Sequence, residues 1–131
     1  MSTAKEPRVT QLHYSRSRRL LQLTFNDDTE FTLSAEFLRV FSPSAEVRGH
    51  GPGQETLQTG KSSVAITRID PVGHYAAQIT FDDGHDSGLY SWSYLRDLAE
   101  RQDHYWQTYL KKLAAEGKSR DPELQVLHFE P

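Results

Sequence analysis

Two short stretches hold most of the side chains that could do chemistry, and both are rich in glycine. His50 lies in RGHGPG and His85 lies in FDDGHDSG. Each histidine falls in a predicted turn, where a side chain can reach a ligand. With the carboxylates beside His85 they would form a nitrogen and oxygen donor set that suits zinc, nickel or iron. The acids are Asp82, Asp83 and Asp86. These residues support a metal-binding hypothesis, although a lone turn histidine is more often only solvated.

The sequence patterns of common catalytic sites are absent. Ser87, His85 and Asp86 have the residue types of a hydrolytic triad, but neighbours in a turn point in different directions. The chain has no G-x-S-x-G elbow, no Walker phosphate loop and no H-x-D pattern of ferrous oxygenases. It also has no cysteine, which removes thiolate chemistry. We therefore predict that the chain is not an enzyme.

A contact surface formed by the same two stretches is the leading hypothesis. The predicted partner is another protein, with a small ligand as the alternative. The structural alternatives stay open. The glycines would then only shape turns, the arginine would be an ordinary surface charge, and the aromatic residues would belong to the core, which is the favoured role for Trp92. The candidate residues are Arg48, His50, Gly51, Gly53, Tyr90 and Trp92.

Composition argues against nucleic acid and membrane partners. The basic run RSRR at 16–19 could contact phosphate, but 18 acids against 15 bases give a net charge of −3. Exposed arginines of a hairpin turn are the simpler interpretation. No segment is apolar enough to span a bilayer or to form a signal peptide. The lack of cysteine fits a reducing compartment, so we expect a cytoplasmic protein; the oligomeric state is not predicted.

The pattern of the elements predicts the α+β class. Alternating apolar residues indicate an antiparallel β-sheet, beginning with the strands around LLQLTF and EFTL. A short helix is predicted at about 34–41, with Ser34 as N-cap, and one long C-terminal helix at about 91–116, with Ser91 at its start and Gly117 as the stop.

The length of 131 residues predicts one domain. Its expected limits are 8–116. A flexible arm at 1–7 would precede it and a tail at 117–131 would follow it.

Two motifs carry a resemblance to a known family. FLRVFSPSAEVRGHGPGQ (37–54) and FDDGHDSGLYSWSYLRDL (81–98) are similar to the short bacterial proteins of the DUF971 family, which resembles the N-terminal domain of gamma-butyrobetaine hydroxylase. The resemblance covers roughly residues 8–98. In the eukaryotic hydroxylases this domain precedes a ferrous, 2-oxoglutarate-dependent catalytic domain. Similar domains are also attached to Mrp-type ATPases that carry iron–sulfur clusters.

The resemblance implies a zinc site that this chain has lost. In the hydroxylases three cysteines and one histidine hold the ion, and the matching positions here are Ser42, Ser44, Val47 and His85. Three thiolates are thus missing, and a neutral hydroxyl is a poor ligand for zinc. We expect the two serines to hold the turn through backbone hydrogen bonds, Val47 to pack, and His85 to be a structural histidine.

Three functional hypotheses follow. The first is a small non-enzymatic binding domain that contacts a protein through the 42–54 and 82–92 loops, with no cofactor. The second is a metal-binding accessory or sensor protein that holds zinc or iron through His85 and nearby carboxylates. The third, which the resemblance implies, is an accessory factor for iron–sulfur or 2-oxoglutarate-oxygenase systems.

Overall fold

The computed structural model describes residues 6–49, 51 and 53–123, and it confirms the α+β class. Six strands and four helices follow one another in the described chain. Their bounds are β1 Val9–Ser15, β2 Leu20–Phe25, β3 Glu30–Ser34, α1 Ala35–Val40, α2 Ala45–Arg48, β4 Ile66–Val72, β5 Ala76–Phe81, β6 Leu89–Ser91, α3 Trp92–Glu100 and α4 Gln102–Glu116.

The first three strands form an antiparallel meander in the order β1-β2-β3. Leu21 pairs with Leu33 and Leu23 with Phe31, so alternate residues of β2 project into the core. Asp28 adopts a positive φ of 67° in the NDD turn between β2 and β3, as Asn and Asp tolerate.

The remaining strands form a second antiparallel sheet in the order β4-β5-β6. The sequence predicted antiparallel pairing, but it did not show that the strands divide into two three-stranded sheets. Residues 35–65, which contain α1, α2 and the long loop before β4, separate the two sheets in the sequence. The short helix and α3 share one apolar core with both sheets.

Helix α1 begins where it was predicted. The Ser34 side chain accepts a hydrogen bond from the Phe37 amide at 3.0 Å and so caps the first turn. All six residues of α1 are buried, among them Phe37 and Leu38 in the main core. The helix therefore fixes the start of the loop that follows it.

The predicted C-terminal helix is two helices with a bend at Arg101, where φ is −113° and ψ is 25°. The helix opens at Ser91 and stops at Gly117, as predicted; the Ser91 side chain caps α3, and Gly117 ends α4 in the left-handed conformation. At the bend the Asp97 carboxylate accepts hydrogen bonds from the Tyr105 hydroxyl and from Arg101. These contacts link the two helices across the break.

Residues just beyond the predicted end of the domain pack onto it. The carbonyls of Ser119 and Arg120 accept hydrogen bonds from the amides of Gly60 and Ser62. The Arg120 guanidinium donates two 2.7 Å bonds to the buried Glu36 carboxylate. The start of the predicted tail is thus part of the folded unit, whereas residues 124–131 and 1–5 lie outside the described residues.

Within the described part of the chain, none of the helices combines the length and the apolarity that crossing a membrane requires.

Candidate functional site

The turn between α1 and α2 meets the turn between β5 and β6 at a hydrogen bond from Ser42 to His85. Ser42 Oγ lies 2.8 Å from His85 Nε2, and both residues are buried. The Ser44 amide donates to Ser42 Oγ at 3.3 Å, and Ser44 Oγ in turn accepts from the Glu46 amide and caps α2. The prediction that two serines hold this turn through backbone bonds is therefore confirmed.

The other nitrogen of His85 faces a carboxylate. Nδ1 lies 3.2 Å from Glu46 Oε1, which also accepts a 2.9 Å bond from the Ser87 hydroxyl. Both ring nitrogens are satisfied when Nδ1 carries the proton and Nε2 accepts from Ser42. Burial is the main cause that lowers the pKa of His85, and the Arg39 charge adds to it, against the opposing effect of Glu46. The imidazole is therefore neutral at neutral pH.

In space, the His85 ring lies between the Ser42 hydroxyl and the Glu46 carboxylate, which is the arrangement of serine, histidine and acid in serine hydrolases. The sequence analysis considered only Ser87, His85 and Asp86 for such an arrangement, and it did not indicate the contacts of His85 with Ser42 and Glu46. Ser42 is nevertheless fully buried, and a Cβ added at Gly88 would lie 2.5 Å from its Oγ. The buried Ser42 hydroxyl therefore joins the two turns as a hydrogen-bonding group.

A cationic pair binds the carboxylate beside this network. Asp83 Oδ2 accepts from Arg39 Nε at 2.8 Å and from Lys61 Nζ at 2.7 Å, and Oδ1 accepts from the His85 amide at 3.1 Å. Burial by itself would raise the pKa of Asp83, but the bonds from Lys61, the His85 amide and Arg39 lower it to about 2. Asp82 is also engaged, since its Oδ1 accepts from the Ala65 amide at 3.1 Å.

The donor set at this position does not fit zinc. The positions that the resemblance assigns to the ligands are two hydroxyls, the buried Val47 side chain and His85 Nε2, which Ser42 already occupies. Across the described residues, every buried side-chain nitrogen and oxygen has a hydrogen-bond partner. In the same residues no three His, Asp or Glu side chains are grouped so that they could hold a metal ion.

The predicted contact residues separate into different environments. Arg48 is exposed and stacks over Tyr94, with its guanidinium carbon 5.6 Å from the ring centroid. Gly51 is half-buried and Gly53 is exposed. His50 lies outside the described residues.

The prediction that Tyr90 lines a contact surface is wrong. The side chain is fully buried because β6 alternates, with Leu89 and Ser91 facing the other way. Its hydroxyl donates to the Leu38 carbonyl at 2.5 Å, and burial raises its pKa. Trp92 is half-buried, and its indole N–H donates to the His74 carbonyl at 2.9 Å.

Arg48 and Gly53 line an open groove of about 520 Å³. One wall is formed by α2 and residues 53–58, and the other wall by one face of α4. Trp92 lies apart from them, in a second pocket of about 400 Å³ with His74 and Tyr75. The sequence did not identify the α4 side chains, although their spacing of three and four residues indicates a common helix face. They are Tyr105, Thr108, Tyr109, Lys112 and Glu116.

The groove combines an apolar floor with charges of both signs at its rim. Phe41, Val47 and Leu57 contribute apolar side chains, and Tyr105 and Tyr109 add aromatic surface. Two bonds of 2.8 Å support its walls: the Thr56 amide donates to the Val47 carbonyl, and the Tyr109 hydroxyl donates to the Gln58 carbonyl. The charged rim residues are Arg48, Glu55, Lys112 and Glu116.

Solved structures similar to this chain support a common fold. Two solution NMR structures are 49% and 47% identical to it, with TM-scores of 0.78 and 0.77. The first alignment covers 93% of this chain and 91% of the other, and the second covers 89% and 93%. No curated protein sequence matches the chain.

A third structure and a sequence family define the relationship. A crystal structure of a DUF971 protein of unknown function from Acidithiobacillus ferrooxidans is 33% identical, with a TM-score of 0.60, over 70% of this chain and 92% of its own. The family described as gamma-butyrobetaine hydroxylase-like, N-terminal, matches residues 12–96. The chain therefore belongs to the gamma-butyrobetaine hydroxylase-like N-terminal family, to which the DUF971 proteins correspond.

Proposed function

We propose that the chain is a small non-enzymatic binding domain whose partner is a protein and whose binding surface is the groove between α2, residues 53–58 and α4. The observation that carries this proposal is the groove itself, with about 520 Å³ of open volume over an apolar and aromatic floor. Protein interfaces commonly combine an apolar centre with a polar, charged rim. A polypeptide segment with an apolar side chain between charged ones matches that arrangement.

The hydrogen-bonded network behind the groove supports a preformed surface. Ser42 and Val47 belong both to the turn that His85 holds and to the wall of the groove. Arg48 is positioned at the rim by its contact with the Tyr94 ring, and the Tyr94 hydroxyl donates to the Phe41 carbonyl at 2.6 Å. A surface that is already ordered loses little conformational entropy when a partner binds.

The proposal also includes the cellular compartment of the protein and the system that it serves. The chain has no cysteine, which favours a reducing compartment such as the cytoplasm. A role as an accessory to 2-oxoglutarate oxygenases or iron–sulfur proteins is compatible with the family name, but fold-level analogy is its only support. Within the described residues no observation favours the metal-binding alternative.

Two neighbouring lysines of α4 provide the test. Lys112 lines the groove and Lys111 does not, and both are exposed. A photo-crosslinking side chain at Thr108, inside the groove, should capture a specific protein in cells of the native host. Lys112→Glu should abolish that product, and Lys111→Glu should leave it unchanged. If Lys112→Glu yields the same product as the unsubstituted chain while remaining folded, the groove is not the binding surface.

A further inference from the structure

The two sheets have four outer edges, and three of them are protected against another strand. The Gln102 side chain donates to the Thr32 carbonyl of β3 at 3.4 Å, where the α3–α4 bend crosses that strand. β4 carries Arg68, Asp70 and Pro71, and β6 has only three residues. Charge, proline and short length are the usual devices that prevent pairing at an edge.

The fourth edge, β1, has none of these devices over most of its length. Its sequence VTQLHYS contains no charged residue, proline or glycine. In the described chain no backbone hydrogen bond joins β1 to any strand other than β2. A bulge between Val9 and Gln11 interrupts its start, and the stretch Gln11–Ser15 then pairs regularly with β2. Five consecutive residues therefore present a regular outer edge.

The exposure of Leu12 shows where another strand would fit. Leu12 pairs directly with Leu23, whose side chain is completely buried, and directly paired residues project from the same face of a sheet. Leu12 thus lies on the core face, yet it is 37% exposed at this edge of the sheet. A strand added at this edge would extend the core face and cover Leu12.

The charges at the two ends of β1 identify the kind of strand. Arg8 precedes it, and Arg16, Arg18 and Arg19 follow it in the exposed hairpin turn. Among the described residues these four guanidinium groups have no hydrogen-bond or carboxylate partner. The other arginines are all engaged: Arg48 stacks on Tyr94, and carboxylates bind Arg39, Arg68, Arg96, Arg101 and Arg120.

A second copy of the chain would not suit this edge. Pairing of β1 with β1 would bring arginines of one copy against arginines of the other in either strand orientation, because arginine lies at both ends. An acidic partner gains in both orientations for the same reason.

We propose that β1 is the docking site for an extended segment of a partner protein, which adds to the first sheet as a fourth strand and carries acidic residues at both ends. Main-chain bonds to Gln11–Ser15 provide the pairing, and an apolar side chain of the segment covers Leu12. The acidic ends pair with Arg8 and with the arginines at 16–19. This surface shares no residue with the groove.

The test uses synthetic peptides of five alternating threonine and valine residues, flanked at both ends by glutamates or, as control, by lysines. The acidic peptide should shift and protect the β1 amides in NMR spectra, and the lysine peptide should not. The double substitution Arg16→Glu with Arg18→Glu should weaken binding at least about tenfold. Lys112→Glu in the groove should leave it unchanged, so this proposal and the proposed function fail independently.

Backbone methylation separates strand pairing from simple charge attraction. Alternate amides of an extended peptide point to opposite edges of the strand. In one version of the acidic peptide the amides along one edge are N-methylated, and in the other version the amides along the opposite edge are. Each version therefore blocks the main-chain hydrogen bonds along one edge only. One version should lose binding and the other should keep it. Equal binding of both, no shift of the β1 amides at millimolar peptide, or dimerisation of the chain through β1 would each overturn the proposal.

Discussion

Removal of the Ser42 hydroxyl tests the role of the buried network most directly. In Ser42→Ala the His85 Nε2 acceptor loses its 2.8 Å donor, and the Ser44 amide loses its 3.3 Å acceptor. Water cannot easily replace the hydroxyl because Ser42 is fully buried and Gly88 packs close to its Oγ. The substitution therefore leaves two polar groups without partners in the interior.

The expected cost follows from these two groups. A buried group left without its hydrogen bond costs about 1–3 kcal/mol, and the longer bond to the Ser44 amide contributes the smaller share. We expect Ser42→Ala to lower the free energy of unfolding by about 2 kcal/mol. For a chain of this length, that corresponds to a fall in Tm of roughly 6–8 °C.

The matched control is Ser87→Ala, which removes an exposed hydroxyl bonded to the same network through Glu46. It should cost less than about 0.5 kcal/mol. Urea unfolding followed by tryptophan fluorescence measures both variants, and an unchanged slope against urea shows that the comparison is valid. If the two alanines destabilise the chain equally, the buried hydroxyl does not hold the turns together and the reasoning is refuted.

Three further predictions concern the same turns. Burial lowers the pKa of His85 below its ordinary 6.5, so the unfolded chain binds the proton first as the pH falls. The free energy of unfolding should therefore decrease below about pH 6.5, and it should decrease less steeply in His85→Gln. Urea unfolding at a series of pH values measures both chains. The pKa of Asp83 falls from 3.8 to about 2, so its stabilisation is complete above pH 3.8 and is lost as pH falls through 2. Asp83→Asn should cost roughly 1–2 kcal/mol at pH 7, a value reduced for partial exposure, and acid titration of both chains should converge. Gly88→Ala puts a Cβ 2.5 Å from Ser42 Oγ and should lower the free energy of unfolding by about 1–3 kcal/mol, which thermal unfolding detects as a lower Tm. Gly51→Ala has open space around the added Cβ, so its Tm should stay close to that of the unsubstituted chain.

Features with strong local chemistry were predictable from the sequence. Ser34 caps the helix that it was expected to cap, the next long helical stretch opens at Ser91, and Gly117 ends α4. In each case the decisive interaction joins residues three or four apart, so the signal lies within one turn of chain. The alternation in LLQLTF predicted the buried face of β2 for the same reason.

Features that depend on contacts between distant parts of the chain were not predictable from the sequence. Tyr90 follows a glycine-rich turn and belongs to a strand of only three residues, and the pairing of Ala77 with Tyr90 is what shows that its side chain faces the core. The bend at Arg101 contains no proline or glycine that would have indicated it in the sequence. The contact of Ser42 with His85 spans 43 residues, and its one signal was the family resemblance, because ligands of a single metal must lie close together.

This contact explains how the turn keeps its position without thiolate ligands. A metal held by the 42–47 turn and His85 would join the two turns by coordination; here Ser42, Glu46 and His85 join the same two turns by hydrogen bonds. The two kinds of cross-link respond to different conditions. A thiolate centre fails when its cysteines are oxidised, whereas the pair of Ser42 and His85 is weakened in acid because protonation puts a charge on a buried imidazole. The wall of the groove, which includes Ser42 and Val47, should therefore be insensitive to oxidants and loosen in acid.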